Sequence, residues 1–329
     1  MTKKNSFGAL LKKLTGASFF GSVIIVVVMF AVMIALRGWS YMSGDNIHIL
    51  SKVLAVTAAI GFSQMIIIAS GGLNISIGST GALSAVIAGW IMTVTGLPWW
   101  IGVLAGLATG VVCGVINGLL IYRAGGVGVA FFLTTLATNS LYQGIMLTIT
   151  QGNPFYGPGG KLDKAFLAIG NTKIGCFPMS LIIVIVIAVI LAFMFTKLPL
   201  GRQILAFGAN NKAAELYGVS KFKVVLSANI IAGLLASVAG ILAMIRIEAA
   251  QPGMGKDWML MSFAAPLIGG TRNEGGKVSL LGAVLGSLAL TIISNALVHL
   301  AVDVYWNELI YGLIIIIAVA IDRVRYIKK

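Results

Sequence analysis

The side chains that most often support catalysis or metal binding are few in this chain and lie far apart. There are two histidines, His48 and His299, and two cysteines, Cys113 and Cys176. None of them belongs to an HExxH, CxxC or GxSxG arrangement, in which the spacing brings the reactive groups together. Cys113 lies in an apolar run and Cys176 in a long polar loop, so we expect no disulfide between them. The sequence therefore predicts neither a catalytic residue nor a metal site.

A glycine-rich stretch at residues 269–277, with the sequence GGTRNEGGK, invites comparison with a phosphate-binding P-loop. That motif requires a lysine followed directly by serine or threonine, and here Val278 follows Lys277. No strand precedes the stretch, and an additional glycine stands before Lys277. We expect no nucleotide and no other cofactor on this chain, so any ATPase is a separate subunit.

Uncharged polar side chains interrupt the apolar runs, and together they suit the passage of a neutral, hydroxylated solute. Each also has the simpler role of a hydrogen bond between two helices, and the sequence leaves both roles open. The runs contain no Asp, Glu or Arg, whereas ion-coupled carriers usually need an acid there. Lys52 lies near a segment end and can extend to the interface. The polar residues are Gln64, Asn117, Thr134, Thr135, Thr138, Asn139, Gln143, Asn229 and Asn295.

The composition places these side chains in a membrane. The mean hydropathy is +1.02 and charged residues make up 10 % of the chain, against about 25 % in soluble domains. The apolar runs extend over about 20 residues, the length of a membrane helix rather than of a barrel strand. Within lipid, such a segment must pair its own backbone groups. The predicted fold class is therefore all-α, a polytopic helical membrane protein.

The formal net charge of +14 has two interpretations. It favours either a nucleic-acid partner or basic loops that fix the orientation of membrane helices. The lysines and arginines lie between the apolar runs, which supports the second interpretation. We expect contact with membrane lipid and none with nucleic acid.

We predict about ten transmembrane segments in a single domain that covers residues 1–329. Segment 258–268 is too short for a hydrocarbon core of about 30 Å, so it is either re-entrant or packed inside the bundle. The segments are 18–36, 49–70, 78–95, 99–121, 129–150, 178–196, 224–245, 258–268, 280–299 and 309–321.

The basic residues predict the orientation of these segments. Residues 1–17 form an amphipathic stretch suited to a membrane surface, and segment 18–36 is a retained anchor rather than a cleaved signal. Most of the 23 basic residues fall on the side of residues 1–17, which also carries the loop 197–223 and the tail 322–329. By the positive-inside rule, both termini are cytoplasmic.

Glycine has two uses in the sequence. A stripe at every fourth position of segment 99–121 lets another helix approach closely, which predicts a central helix. Glycine pairs at residues 71–72 and 269–270 instead follow apolar runs and open polar stretches. These stretches are either broken helices that line a pathway, as in transporters with internal repeats, or simple turns between helices. The stripe consists of Gly102, Gly106, Gly110, Gly114 and Gly118.

The loop 197–223 carries a helix signal of its own. Asn210 is a suitable N-cap, residues 213–216 are good helix formers, and Gly218 stands where a C′ glycine belongs. A short polar helix between two membrane segments does not serve lipid. We expect it to dock against a soluble partner.

Several motifs, in order along the chain, resemble those of permease subunits of ribose-, galactose- and arabinose-type ABC importers. Residues 71–79 (GGLNISIGS) resemble the family motif GG-I-D-L-S-V-G-S, with Asn74 where Asp is usual. Residues 132–138 (FLTTLAT), followed by Gly144 and by GNP at 152–154, are similar to the fifth helix and its loop, with Gln143 where arginine is common. Residues 201–210 (GRQILAFGAN) match the coupling segment, and LIGGT at 267–271 with the later glycine pair matches the late glycine motif.

This resemblance implies a type II ABC importer-like permease of the bacterial inner membrane, which is not itself an enzyme. Its expected partners are a second permease in a homodimer or heterodimer, a cytoplasmic ABC ATPase that holds ATP and Mg, and an extracytoplasmic binding protein. The residues implied to couple to the ATPase are Arg202, Asn210, Ala213, Ala214, Glu215 and Gly218. Those implied to form the pathway and its broken helices are Gly71, Gly72, Asn74, Ser76, Thr135, Thr138, Asn139, Gly269 and Gly270.

The solute implied by the resemblance is a monosaccharide, ahead of a nucleoside, a furanone signal or a polyol. Branched-chain amino-acid permeases match the motifs less well. Asn74 and Gln143 depart from the family pattern, which indicates a divergent branch, such as one half of a heterodimer or a permease for another solute. A secondary carrier and a passive channel are the alternatives from other classes.

Overall fold

The computed structural model describes residues 20–156, 162–175, 177–272, 274–303, 306, 309–313 and 316. The described chain is almost entirely helical, as the sequence predicts. The amphipathic stretch 1–17, the tail 322–329 and Cys176 lie outside the described residues. The helices are α1 (Phe20–Arg37), α2 (Gly44–Ala69), α3 (Ile77–Thr93), α4 (Trp99–Arg123), α5 (Val129–Thr150), α6 (Lys164–Asn171), α7 (Met179–Lys197), α8 (Pro199–Ala209), α9 (Asn211–Leu216), α10 (Lys221–Ile247), α11 (Trp258–Ile268) and α12 (Leu280–His299).

The remaining regular elements are short. A 3-10 turn covers Trp39–Met42. Strands β1 (Lys173–Ile174) and β2 (Phe177–Pro178) form an antiparallel hairpin in which Lys173 lies opposite Pro178. A single antiparallel bridge joins Phe155 to Ala250.

The first nine predicted segments coincide with helices, within a few residues at each end. Five helices, α2, α4, α7, α10 and α12, are long and apolar enough to cross a membrane. The stretch Gly21–Arg37 and the helices α3 and α11 are apolar but shorter. Helix α5 has 22 residues but falls outside the apolar group, because Asn139, Gln143 and several threonines lower its hydropathy. The protein is therefore a multi-pass helical membrane protein.

Helices α4 and α10 form the centre of the bundle, and the glycine stripe of α4 lies along the contact. A Cβ atom on Gly110 would overlap the carbonyl oxygen of Gly233 in α10, and one on Gly114 would overlap that of Asn229. Nearer the Trp99 end, Gly102 and Gly106 lie against α3. Such close approach maximises van der Waals contact, which holds membrane helices together in the absence of a hydrophobic driving force.

Two chain breaks turn inside the bundle rather than at its surface. After α2 ends at Ala69, residues 70–76 reverse direction and run back beside α2, so that Asn74 lies next to Gln64. Helix α3 then begins at Ile77. Residues 248–257 form the second break, between the end of α10 and the short helix α11. The beginnings of α3 and α11 meet, because a Cβ atom on Gly78 would overlap the carbonyl oxygen of Gly255 and lie 3.4 Å from Cβ of Trp258. Two short helices thus start from one region and run apart.

Candidate solute pathway and coupling segment

A buried hydrogen-bond network holds the stretch 70–76 in place. The amide oxygen of Asn74 accepts from the backbone N–H and from the hydroxyl of Ser76, both at 2.8 Å. The Ser76 hydroxyl accepts from Nδ2 of Asn117 in α4 at 2.9 Å, and the hydroxyl of Tyr142 in α5 donates to Oδ1 of Asn117 at 3.0 Å. The network therefore ties the start of α3 to α4 and α5.

The side chains of Thr135 and Gln64 form hydrogen bonds with the backbone of the same stretch. The N–H of Ile75 donates to the hydroxyl of Thr135 at 3.1 Å, and that hydroxyl donates to the carbonyl oxygen of Phe131 at 2.7 Å. In the amide orientation that satisfies both of its atoms, Gln64 donates to the carbonyl oxygen of Asn74 at 3.0 Å and accepts from its N–H at 3.2 Å. An unpaired backbone group here would be costly, because no water or regular helix replaces these partners.

The structure thus brings together four residues of the predicted pathway, Asn74, Ser76, Thr135 and Thr138, and all four are buried. They bond mainly to one another and to neighbouring helices, which is the packing role left open by the sequence. Asn74 occupies the position at which the family motif has Asp, and its amide oxygen accepts two hydrogen bonds from Ser76. The change from the usual acid is therefore compatible with the fold, and it leaves no charge in this network.

A cleft of about 430 Å³ opens beside this network and is lined by polar and apolar groups. Ser79 in the first turn of α3 and Gln143 of α5 contribute polar side chains, and residues 252–256 form one wall. Asn139, one turn before Gln143, is partly exposed. The complete lining is Ser79, Gln143, Met146, Leu147, Gly152, Pro252, Gly253, Met254, Gly255 and Lys256.

Sequence reasoning missed Lys256 as a candidate for this region. Residues 246–257 follow a long apolar segment, and their sequence indicates an ordinary loop between two membrane segments. The structure instead carries Gly255 and Lys256 to the beginning of α3. The only available signal was the shortness of segment 258–268, which indicated that part of the crossing had to be made by other residues.

The loop 197–223 folds as two short helices, and its predicted helix signal is confirmed. Asn210 caps α9, since its side-chain oxygen accepts from the N–H of Ala213 at 3.0 Å. Gly218 follows the helix with a φ of +82°, a conformation that glycine adopts without strain. Ala214 is only 6 % exposed and packs towards the bundle.

The outward face of this loop is carried by residues that the sequence did not single out. Leu216 is 88 % exposed and Tyr217 is 90 % exposed. Arg202 and Glu215 are also exposed, whereas Ala213 is partly buried. An exposed leucine and tyrosine at the tip of a capped helix form an apolar contact surface with no cover in the described chain.

Three glycine-containing stretches meet where α8 ends. A Cβ atom on Gly208 would overlap the carbonyl oxygen of Ala69, the last residue of α2, and that oxygen accepts from the N–H of Gly276 at 3.2 Å. A Cβ atom on Gly275 would lie 2.9 Å from the carbonyl oxygen of Gly208 and 3.0 Å from Cα of Gly71. We call this contact of Ala69, Gly71, Gly208, Gly275 and Gly276 the glycine junction. It joins the end of α8 to the stretch that follows α2 and to the stretch that precedes α12.

Close contacts or a positive φ also mark the other predicted break residues. A Cβ atom on Gly72 would overlap the ring of Phe131 in α5, and one on Gly269 would overlap the backbone of Gly282 in α12. Gly270 has a φ of +79°. A polar cavity of about 360 Å³ lies beside the junction and is lined in part by Ser70, Asn210 and Glu274.

Comparison with known proteins assigns the fold to a transporter family. The family described as the permease component of branched-chain amino acid transport systems matches residues 45–319. The chain belongs to this permease family.

Individual relatives are named for sugars rather than for amino acids. The ribose import permease protein of Bacillus subtilis is 33 % identical over 98 % of this chain and 96 % of its own length. The D-allose transport system permease protein of Escherichia coli is 32 % identical over 92 % of this chain and 91 % of its own. The fructose import permease protein of Rhizobium meliloti is 28 % identical over 93 % and 85 %, respectively. The resemblance to monosaccharide import permeases is confirmed.

Proposed function

We propose that this permease imports a monosaccharide as the membrane subunit of an ATP-driven transporter. The observation that carries the proposal is the similarity to ribose and allose permeases over 98 % and 92 % of the chain. The cleft supports it, because the amide of Gln143 offers an uncharged donor and acceptor to sugar hydroxyl groups, and the hydroxyl of Ser79, which donates to the carbonyl oxygen of Ser76, offers an acceptor. None of the residues described as lining the cleft is acidic, which disfavours a carrier driven by cations.

We infer that a cytoplasmic ABC ATPase, which holds ATP and Mg, docks on α9. The exposed Leu216 and Tyr217 provide the apolar contact, and the exposed Arg202 and Glu215 surround it with charge. This division into an apolar centre and a polar rim is usual for protein interfaces. The caps at Asn210 and Gly218 fix the short helix that presents these residues.

The glycine junction offers a route by which a displacement of the ATPase reaches the pathway. Gly208 is in backbone contact with the end of α2 and with the stretch before α12. Closely packed backbones move together, since they cannot be compressed. A shift of α8 and α9 therefore displaces the stretch after α2 at Gly71 and the stretch before α12 at Gly275, and with them the starts of α3 and α12.

We infer that a second permease subunit, in a homodimer or heterodimer, covers the outward face of α5. Asn139, Ser140 and Gln143 are partly or largely exposed on this face. Lipid does not satisfy such groups, and polar residues of membrane helices normally face a protein or a water-filled cavity. The solute passes between the two subunits along this face and the adjoining cleft.

The proposed topology has ten spans, with both termini in the cytoplasm of a bacterium and the chain in its inner membrane. The loop 197–223 and the junction then lie on the cytoplasmic side, where the ATPase is. An extracytoplasmic binding protein delivers the solute from the other side. Stretches 70–76 and 248–257 complete the crossings that the short helices α3 and α11 begin.

Uptake into proteoliposomes tests this function and names the solute. The permease is reconstituted with the ATPase and binding protein encoded beside it, and labelled ribose, allose, fructose and leucine are compared. We expect saturable uptake of one monosaccharide that unlabelled leucine does not inhibit. Uptake of leucine in preference to all the sugars would contradict the proposed solute class.

A further inference from the structure

Lys256 is a charged residue in the wall of the cleft. It is exposed within the single subunit and lines the same space as Ser79 and Gln143. Ionisable residues inside a membrane are rare and mark functional sites when they face a water-filled cavity.

The contacts of its neighbours place Lys256 well inside the bundle. Gly255 packs backbone to backbone against Gly78, which is two residues after Ser76. Ser76 is bonded to Asn117 of α4. At about 1.5 Å per residue, Asn117 lies about 9 Å from the Arg123 end of α4 and about 27 Å from the Trp99 end. Since α4 is long and apolar enough to span a membrane, Lys256 is attached at membrane depth.

Lys256 is the one charged residue among those described as lining the cleft. No acidic residue is among those described as lining it. The ion pairs found in the described chain join Lys173 to Asp45 and Arg272 to Glu274. Asp257, the next residue, is the N-cap of α11 and is not among the residues described as lining the cleft.

One helix end adds to the same potential. Helix α3 begins at this region with Ile77 and has no acidic residue in its first turn, whereas Asp257 is the N-cap of α11 and offsets the charge of that helix end. The first turn of a helix exposes unpaired N–H groups and carries a partial positive charge. Lys256 and the start of α3 therefore make the cleft positive.

We propose that Lys256 makes the solute pathway a barrier to cations. The proposal rests on the proposed function, because it takes the cleft to be part of the pathway. A passage that admits a monosaccharide also has room for sodium ions, whose entry would discharge the membrane potential. A fixed positive charge within the passage repels cations while it donates hydrogen bonds to hydroxyl oxygens of a neutral solute. Ion exclusion and sugar passage are thus served by one side chain.

The ratio of sodium to chloride entry tests this role. The complete importer is reconstituted in liposomes, and entry of radioactive sodium and chloride is measured during ATP-driven turnover. K256E places a negative charge in the cleft, so we expect the sodium-to-chloride ratio to rise at least about tenfold, as local ion concentration follows the sign of a charged cleft. K256Q gives a smaller rise in the same direction, and K256R keeps the wild-type ratio.

Lys164→Glu is the matched control, because Lys164 begins α6 and does not line the cleft. A ratio in K256E within about twofold of wild type, or an equal change in K164E, would overturn the proposal. If K256E does not assemble, the ratio in K256Q decides in the same way. Loss of solute uptake in K256Q at an unchanged ion ratio would also overturn it. Failure of the proposed function is distinct, since wild-type importer would then show no ATP-dependent uptake.

Discussion

At the scale of single residues, Asn117 holds the buried network together. Its amide donates to Ser76 and accepts from Tyr142, so it links α3, α4 and α5. Asn117→Leu would remove these two buried hydrogen bonds, although Ser76 would still donate to Asn74 and Tyr142 to the carbonyl oxygen of Cys113. We expect this change to lower the free energy of unfolding by about 1–3 kcal/mol, measured by equilibrium unfolding in mixed detergent micelles.

Asn139→Leu is the matched control for that measurement. Asn139 is partly exposed on α5, and the described structure gives its side chain no hydrogen bond to another described residue. The same substitution there should change the free energy of unfolding by less than about 0.5 kcal/mol. Equal losses in the two variants would show that the network does not stabilise the fold.

The contact surface on α9 also depends on individual residues. Replacing both Leu216 and Tyr217 by serine removes the exposed apolar groups without altering the capped helix. We expect the double variant to fold normally but to bind the ATPase at least about tenfold more weakly, because anchors of this kind dominate interface energies. Co-purification of ATPase with the detergent-solubilised permease measures the effect. Normal recovery of the ATPase would place the docking surface elsewhere.

Ala214 shows what sequence reasoning did not reach on that helix. A small residue in a polar helix indicates close contact with a partner, and on that basis a bulky charged substitution at Ala214 would abolish coupling and leave membrane insertion intact. The structure buries Ala214 at 6 % exposure. A large side chain would therefore disturb the packing of α9 itself, because the direction a residue faces depends on tertiary contacts that periodicity over six residues does not fix.

At the scale of elements, the glycine junction makes a prediction about coupling. In Gly208→Ala, the added methyl group would overlap the carbonyl oxygen of Ala69, so α8 must move away from the end of α2. We expect the ATPase to remain bound. Solute uptake per ATP hydrolysed should fall at least about fivefold, because a misplaced α8 no longer carries the displacement of the ATPase to the end of α2. Parallel assays of uptake and phosphate release give this ratio.

Gly44→Ala is the control, because Gly44 begins α2 at the end opposite Ala69 and no atom lies within 4 Å of a Cβ atom placed on it. That variant should keep the wild-type ratio of uptake to hydrolysis. An unchanged ratio in Gly208→Ala would mean that the junction does not transmit the movement.

The elements were the part of the fold most accessible to sequence. Segment 258–268 was predicted with the bounds that α11 has, and the short helix α9 was predicted from Asn210, helix-forming residues and Gly218. These features are local, since apolar length and capping residues determine them. The position of residues 248–257 was not predictable in this way. Their entry into the bundle depends on contacts such as that of Gly255 with Gly78, far away in sequence.

At the scale of the whole molecule, the central claim is that transport is driven by an ATPase acting through the loop 197–223. Helices, cleft and junction lie in one continuous bundle, with the α9 surface at one end. This arrangement suits a transporter in which an ATPase acts on that end of the bundle and a solute passes beside α5. Neither a secondary carrier nor a channel requires such a surface.

The most direct test is solute uptake into proteoliposomes as a function of ATP. We expect uptake of the labelled solute when ATP is present on the side of α9 and the binding protein on the other, and no effect of an uncoupler. The Leu216→Ser, Tyr217→Ser double variant should reduce this uptake to the level seen without ATP. Uptake that persists after ATP is removed and collapses with an uncoupler, or flux without any ATPase, would contradict the account.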